Sequence, residues 1–331
     1  MTIIGAGSWG TALALVAARN AHEVRMWARE PEVAQSIRQD HRNPYYLPEF
    51  ELPPSITATT SLSEALIGAD FCLLIVPSHV MREVAGTIRP YLKPDILLVT
   101  ATKGIENGTL MRMSEVLVDV LGVELEKQIA VLSGPSFALE VARGEPTAIV
   151  AASRSSDVSS RVQQEFSSHL FRIYTNDDVV GVELGGALKN VVAIATGVVR
   201  GLGFGTNSAA AIITRGLAEV TRLSIACGAR VETMAGLAGL GDLVLTCTGE
   251  LSRNRYVGVE LGRGRRLSEI TSGMREIAEG VKTTKAIYEL GRRMNIDMPI
   301  TASMHALLYE DKPALEAASE LMDRPLKHEI G

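Results

Sequence analysis

The chain has little cysteine, little histidine and few aromatic residues, and it has no long uncharged apolar run. Each shortage excludes something. The three cysteines, Cys72, Cys227 and Cys247, are widely spaced and include no CxxC pair. That argues against a disulfide framework or zinc site and fits a reducing, cytoplasmic location. Cys72 lies inside the apolar run 71–76 and reads as an inert core residue. The six histidines show no metal-ligand spacing, so no metal is expected. No uncharged apolar stretch reaches the ~18 residues of a spanning helix, so no integral membrane segment is expected. A net charge of −5 gives no general attraction for nucleic acid or an anionic membrane. Any anionic ligand must therefore meet local positive charge. A secretory leader is not expected, because a glycine loop opens at Gly5, and residues 327–331 are not an address tag.

What is present begins with that loop. A β-branched run leads into Gly5-Ala-Gly7-Ser-Trp-Gly10, and Trp9, Leu13, Val16 and Ala17 then continue at helical spacing. Gly5 permits the tight turn, Gly7 lets backbone approach a phosphate, and Gly10 lets the helix pack on the strand. The layout holds a dinucleotide pyrophosphate at a helix N-terminus. Only residues 1–4 precede it, short for a central strand, which fits a start trimmed by a few residues.

With 46% hydrophobic and 21% charged residues over 331 positions, the composition is that of an ordinary globular protein of about two domains. Apolar runs at 23–28, 71–76, 96–101, 129–132, 147–151 and 171–174 alternate with helical patterns, the rhythm of a parallel sheet with crossover helices. Four prolines make 43–55 a long loop, and Ser61-Leu-Ser-Glu64 is a capping-box pattern. From Val180 onward only helical patterns remain. The expected fold is α/β followed by all-α: a Rossmann-type, mostly parallel domain over residues 1–178, then an all-helical domain over 179–331. Ligands of such open sheets sit beyond the carboxyl ends of the strands, where the helical domain would close.

The residue that separates the two nicotinamide cofactors lies about 20 positions past the glycines. Arg29 stands there, with no acid before it, and suits a 2′-phosphate. NADP is therefore favoured, and Glu30 keeps NAD possible. Three charges then stand alone in apolar surroundings: Lys103 after the run 96–101, Lys189 in Leu184-Gly-Gly-Ala-Leu-Lys-Asn190, and Asp242 in Gly239-Leu-Gly-Asp-Leu243. An unpaired charge inside protein costs several kcal/mol, so the three are expected to meet. Gly185 and Gly186 lie on the turn over which the Lys189 side chain leans, which implies close helix packing or a ligand there. If Lys103 lies nearby, like-charge repulsion and desolvation would lower the lysine pKa and make one of the two a usable proton donor near neutrality. Two helix starts suit a small anion: Ser133-Gly134-Pro-Ser136, and Ser252-Arg253-Asn254-Arg255 with its guanidinium groups. His79 reads as a satisfied loop histidine rather than an acid–base group.

Taken together, these segments resemble the bacterial NAD(P)-dependent glycerol-3-phosphate dehydrogenase family. Further matches are Asn43-Pro-Tyr-Tyr-Leu-Pro48, Val76-Pro-Ser-His79, Thr102-Lys-Gly-Ile-Glu106, Thr246-Cys-Thr248 and Glu279-Gly280. The resemblance implies reversible hydride transfer between NAD(P)H and dihydroxyacetone phosphate, a phosphorylated triose, giving sn-glycerol 3-phosphate for glycerophospholipid synthesis. It implies Lys189 as proton donor and acceptor, Lys103 as a lysine touching both substrate and cofactor, and Asp242 as their orienting partner. Gly134, Ser136, Ser252, Arg253 and Asn254 match the substrate positions. Ser8, Trp9, Arg29, Ala138, Arg253 and Glu279 join the glycines at the cofactor positions. A homodimer is also implied. The departures, a short first strand and a second tyrosine at Tyr46, do not touch the chemistry. Two other readings compete: a ketopantoate-type reductase, which would not need the phosphate cradle at Ser252, and a silent NADP-sensing regulator, which would not need both lysines.

Overall fold

The computed structural model describes residues 1–274, 278–326 and 328–329. Lys327, Ile330 and Gly331, part of the C-terminal stretch considered above as an address tag, lie outside the described residues.

The apolar runs of the first half become strands of one sheet. They are β1 (Thr2–Ile4), β2 (Val24–Trp27), β3 (Ile56–Thr59), β4 (Phe71–Leu74), β5 (Leu97–Thr100), β6 (Ile129–Ser133), β7 (Thr147–Ala152) and β8 (Phe171–Asn176). Their order is β3-β2-β1-β4-β5-β6-β7-β8. Strands β1, β4 and β5 are buried at every residue, which is why they read as continuous apolar stretches. Short as it is, β1 is central: Ile3 pairs with Met26 on one side and Leu73 on the other.

The crossovers are α1 (Ser8–Arg19), α2 (Pro31–Asp40), α3 (Leu62–Leu66), α4 (Met81–Ile88), α5 (Met113–Leu121), α6 (Ala138–Arg143) and α7 (Ser156–Phe166). At α3 the Ser61 hydroxyl accepts from the Glu64 amide at 3.3 Å. The Glu64 carboxylate accepts from the Thr59 hydroxyl at 2.6 Å, so the cap also ties the helix to β3. Two features were not anticipated. Strand β3 follows the proline-rich loop directly and is too short to show a period. Strand β7 runs antiparallel to β6, because the six-residue α6 packs on α1 and the chain re-enters on the same edge.

Past Asn176 the secondary structure among the described residues is helical. The helices are α8 (Val179–Gly201), α9 (Thr206–Ala226), α10 (Val231–Met234), α11 (Asp242–Thr248), α12 (Arg253–Gly262), α13 (Leu267–Ser272), α14 (Glu279–Arg293), α15 (Pro299–Tyr309) and α16 (Ala314–Met322). Helices α10, α11 and α13 are too short for periodicity to reveal, and a π-helical turn, Leu237–Gly241, leads into α11. Asp178 caps α8, accepting from the Gly181 amide at 2.8 Å. Long and apolar enough to cross a membrane by composition, α8 is instead the core of this half, with 94% of its most apolar window buried. Helix α12 lies on α8 backbone to backbone: a Cβ at Gly258 would sit 2.0 Å from the Ile194 carbonyl oxygen, and one at Gly197 2.2 Å from that of Arg255. That closeness brings the first turn of α12 beside the Lys189 segment.

Candidate active site

The loop after β1 is a backbone cradle. Gly5 has φ +120°, and a Cβ there would lie 2.2 Å from the Ile75 carbonyl oxygen. A Cβ on Gly10 would lie 1.9 Å from the Gly5 oxygen, so the strand-to-helix turn closes only without side chains. A Cβ on Gly7 would meet nothing within 4 Å, and this residue caps α1 with no side-chain acceptor and no acid in the first turn. The positive helix end with Ser8 and Trp9 is thus open to an anion, and these residues fit a dinucleotide pyrophosphate. Asn43, fully buried, braces the loop by donating to the Ala6 carbonyl and the Thr11 hydroxyl, each at 2.9 Å. That role was not read from the sequence. Arg29 stands just past β2 with its side chain 80% exposed, paired to Glu30 at 2.7 Å. An exposed guanidinium can meet a phosphate, although Glu30 competes for it.

Past β5, β6 and the π-helical turn the three solitary charges come together. Lys103 donates to Asp242 at 2.6 Å and to the Gly134 carbonyl at 3.2 Å. Lys189 donates to the other Asp242 oxygen and, at 2.7 Å, to the Thr246 hydroxyl. Asp242 is wholly buried and Lys189 nearly so. Burial lowers the Lys189 pKa to about 7; Asp242 opposes the shift and Lys103 adds to it. Thr246, absent from the expected set, donates in turn to the Asp242 carbonyl at 2.7 Å. Its signal was the Asp-x-x-x-Thr spacing, which places both on one face of α11, a helix not recognised in advance.

The paired glycines before Lys189 serve packing. A Cβ on Gly185 would lie 2.6 Å from the Ala238 oxygen, and one on Gly186 would lie 2.5 Å from the Ser133 hydroxyl and 3.5 Å from the Lys103 stem. Bare helix here is what admits the segments carrying Asp242 and Lys103. Gly134, at φ +142°, lies against Ile149, and Ser136 donates to the Gly134 carbonyl at 3.0 Å. Ala138 opens α6.

At α12, Ser252 caps the first turn, accepting from the Arg255 amide at 3.2 Å. Arg253 is exposed there. Asn254 donates to Asn190 at 2.9 Å and accepts from the Gly280 amide at 2.9 Å, so its amide fastens α8, α12 and the start of α14. Glu279 accepts from the Ser78 hydroxyl at 2.6 Å, linking the helical half to the loop after β4.

A doubly wound dinucleotide fold whose helical half sets a buried lysine beside the strand ends defines an NAD(P)-dependent oxidoreductase of the two-domain kind. The comparisons name the family. Its model for the NAD-dependent glycerol-3-phosphate dehydrogenase N-terminus matches residues 1–159, and that for the C-terminus matches 178–319. A Koribacter versatilis protein named glycerol-3-phosphate dehydrogenase, NAD(P)+, is 54% identical over 332 residues, covering 100% of this chain and 98% of its own. The Geobacter sulfurreducens protein of that name is 54% identical, covering 99% and 98%. The crystal structure of glycerol-3-phosphate dehydrogenase from Coxiella burnetii superposes with a TM-score of 0.93 at 41% identity, over 98% of each chain. The chain belongs to the bacterial NAD(P)-dependent glycerol-3-phosphate dehydrogenase family. A Ralstonia eutropha ketopantoate reductase, 19% identical with a TM-score of 0.62, shares the fold alone.

Proposed function

We propose that this chain interconverts dihydroxyacetone phosphate and sn-glycerol 3-phosphate with NADP, and also with NAD, supplying the glycerol backbone of phospholipids. The observation that carries the reading is the buried Lys103–Asp242–Lys189 cluster. The nicotinamide, when bound, supplies hydride to C2 of the ketone. Lys189 gives its Nζ proton to the oxygen that becomes the C2 hydroxyl and takes it back in the reverse direction. A pKa near 7 lets one lysine do both at neutral pH. Asp242 aims the ammonium, and Lys103 stabilises negative charge growing on the oxygen.

Gly134, Ser136, Ser252, Arg253 and Asn254 hold the substrate, with the α12 N-terminus and the Arg253 guanidinium directed at its phosphate. Gly5, Gly7, Ser8, Trp9, Gly10, Arg29, Lys103, Ala138, Arg253 and Glu279 hold the cofactor. The division at 178/179, a homodimer and a cytoplasmic location complete the reading; the homodimer rests on the family resemblance and the location on the sparse, unpaired cysteines. The test follows NADPH absorbance with dihydroxyacetone phosphate for wild type and Lys189→Ala. Turnover that survives unchanged refutes the donor assignment, and oxidation only with a keto acid favours a ketopantoate-type reductase.

A further inference from the structure

Outside the cluster just described, the most deeply buried ion pair among the described residues joins Glu183 to Arg112, with side chains 3% and 10% exposed. The Glu183 carboxylate also accepts from the Ser114 amide at 2.8 Å and the Ser114 hydroxyl at 2.6 Å. It therefore caps the N-terminus of α5 from a different helix. None of these groups has a part in the chemistry above. A buried pair is weak support for stability, since apolar replacements often do as well. Its place in the fold is more telling.

Glu183 is on α8, six residues before Lys189, about 9 Å along one rigid helix. Arg112 closes a backbone finger: it bridges to Ile105, two residues from Lys103, and the Glu106 amide donates to the Met111 carbonyl at 2.9 Å. The pair thus ties the finger that carries Lys103 to the helix that carries Lys189. The finger's other ion pairs, Glu106 with Arg82 of α4 at 2.9 Å and Arg112 with Glu115 of α5 at 2.6 Å, stay within the sheet domain. Ile105 and Leu110 of the finger also share an apolar cluster with Leu184 and Leu188 of α8, so without Glu183 the finger keeps that non-directional contact and loses the polar hold that fixes its position on the helix.

We propose that Glu183, with Arg112 and Ser114, is a positioning clamp that sets the separation of Lys103 and Lys189. The proposal rests on the reading of Lys189 above. The ionisable groups near the Lys189 ammonium are Asp242 and Cys247 on α11 and Lys103 on the finger; Glu183 itself faces Arg112, beyond which lies Glu115. Loosening the finger withdraws the repulsion of Lys103 and leaves Asp242 more fully to Lys189. Both changes favour the protonated amine.

In Glu183→Gln, kcat for dihydroxyacetone phosphate reduction should fall about tenfold with the NADPH KM within twofold of wild type, and the pH limb of kcat should move up by about one unit. Ser114→Ala, which removes the hydroxyl's bonds to Glu183 and Arg112 and leaves the ion pair, should move it the same way by less. Phe166→Leu, a core change in α7, should lower Tm and leave the limb in place. The Lys189 midpoint is also read directly, from the pH dependence of its labelling by acetic anhydride followed by mass spectrometry. That readout stands even if Lys189→Ala retains turnover and the donor role fails. A labelling midpoint unchanged in Glu183→Gln, or in Ser114→Ala should Glu183→Gln not fold, overturns the clamp.

Discussion

The glycine loop and the lysine–aspartate cluster both prepare this protein for charged ligands, by opposite means. The loop uses backbone: the glycines at 5, 7 and 10 fall within six consecutive residues, carry no charge and work through a helix end. The cluster uses side chains whose charges are drawn out of water, from the segment after β5 and from α8 and α11, with 139 positions separating Lys103 from Asp242 in the chain. A backbone cradle can be written locally, since its requirements are steric. A balanced set of buried charges needs partners from separate elements, and each makes the others tolerable.

The contrast can be broken most forcefully at the cluster. Lys189→Ala should lower kcat by about a thousandfold while leaving the NADPH Kd nearly unchanged, measured by stopped-flow turnover and fluorescence titration. Gly10→Ala should do the reverse, abolishing cofactor binding, because its Cβ would meet the Gly5 oxygen at 1.9 Å. Parallel losses in both variants would dissolve the distinction. Asp242→Asn should cost about 3–5 kcal/mol of stability by thermal unfolding, since it leaves the lysine cations without their counter-charge.

Arg29→Asp should raise the NADPH KM at least about tenfold and the NADH KM little, the loss of a charge-assisted phosphate contact. Equal effects would show that Arg29 does not read the 2′-phosphate. The pH dependence is milder. A donor must be protonated, and the Lys189 pKa lies near 7. Ketone reduction should therefore decline as pH rises through about 7, while glycerol phosphate oxidation rises, in steady-state rates across pH 6 to 9. The smallest effect belongs to Glu30→Gln, which frees Arg29 from its neighbour and should lower the NADPH KM about twofold.

The elements that could be read in advance were those whose signal lies in one stretch. The buried strands β4 and β5, the cap at Ser61 and the long helices α8 and α9 all carry local periodicity or local hydrogen bonds. The short helix α11 does not, and with it went Thr246, whose bond to Lys189 depends on an unrecognised turn. Strand β3 was hidden by the prolines before it. The antiparallel entry of β7 depended on where α6 packs, which no local pattern records. Asn43 lay in a segment read as a loop and as a family match with no role attached, and its brace on Ala6 and Thr11 appears only when that loop crosses the first helix.

By itself the sequence determined that a dinucleotide loop opens the chain, that a sheet gives way to helices, and that three charges lacked local partners. Those properties follow from steric demand, hydrophobic period and the cost of burying charge, all expressed residue by residue. Only the tertiary structure decided that Lys103, Lys189 and Asp242 satisfy one another, that Gly185 and Gly186 are bare so that neighbouring segments can approach, and that Asn254 spends its amide on Asn190 and Gly280. The reason is physical: a buried polar group is defined by its partner, and the partner's position depends on the packing of the whole chain.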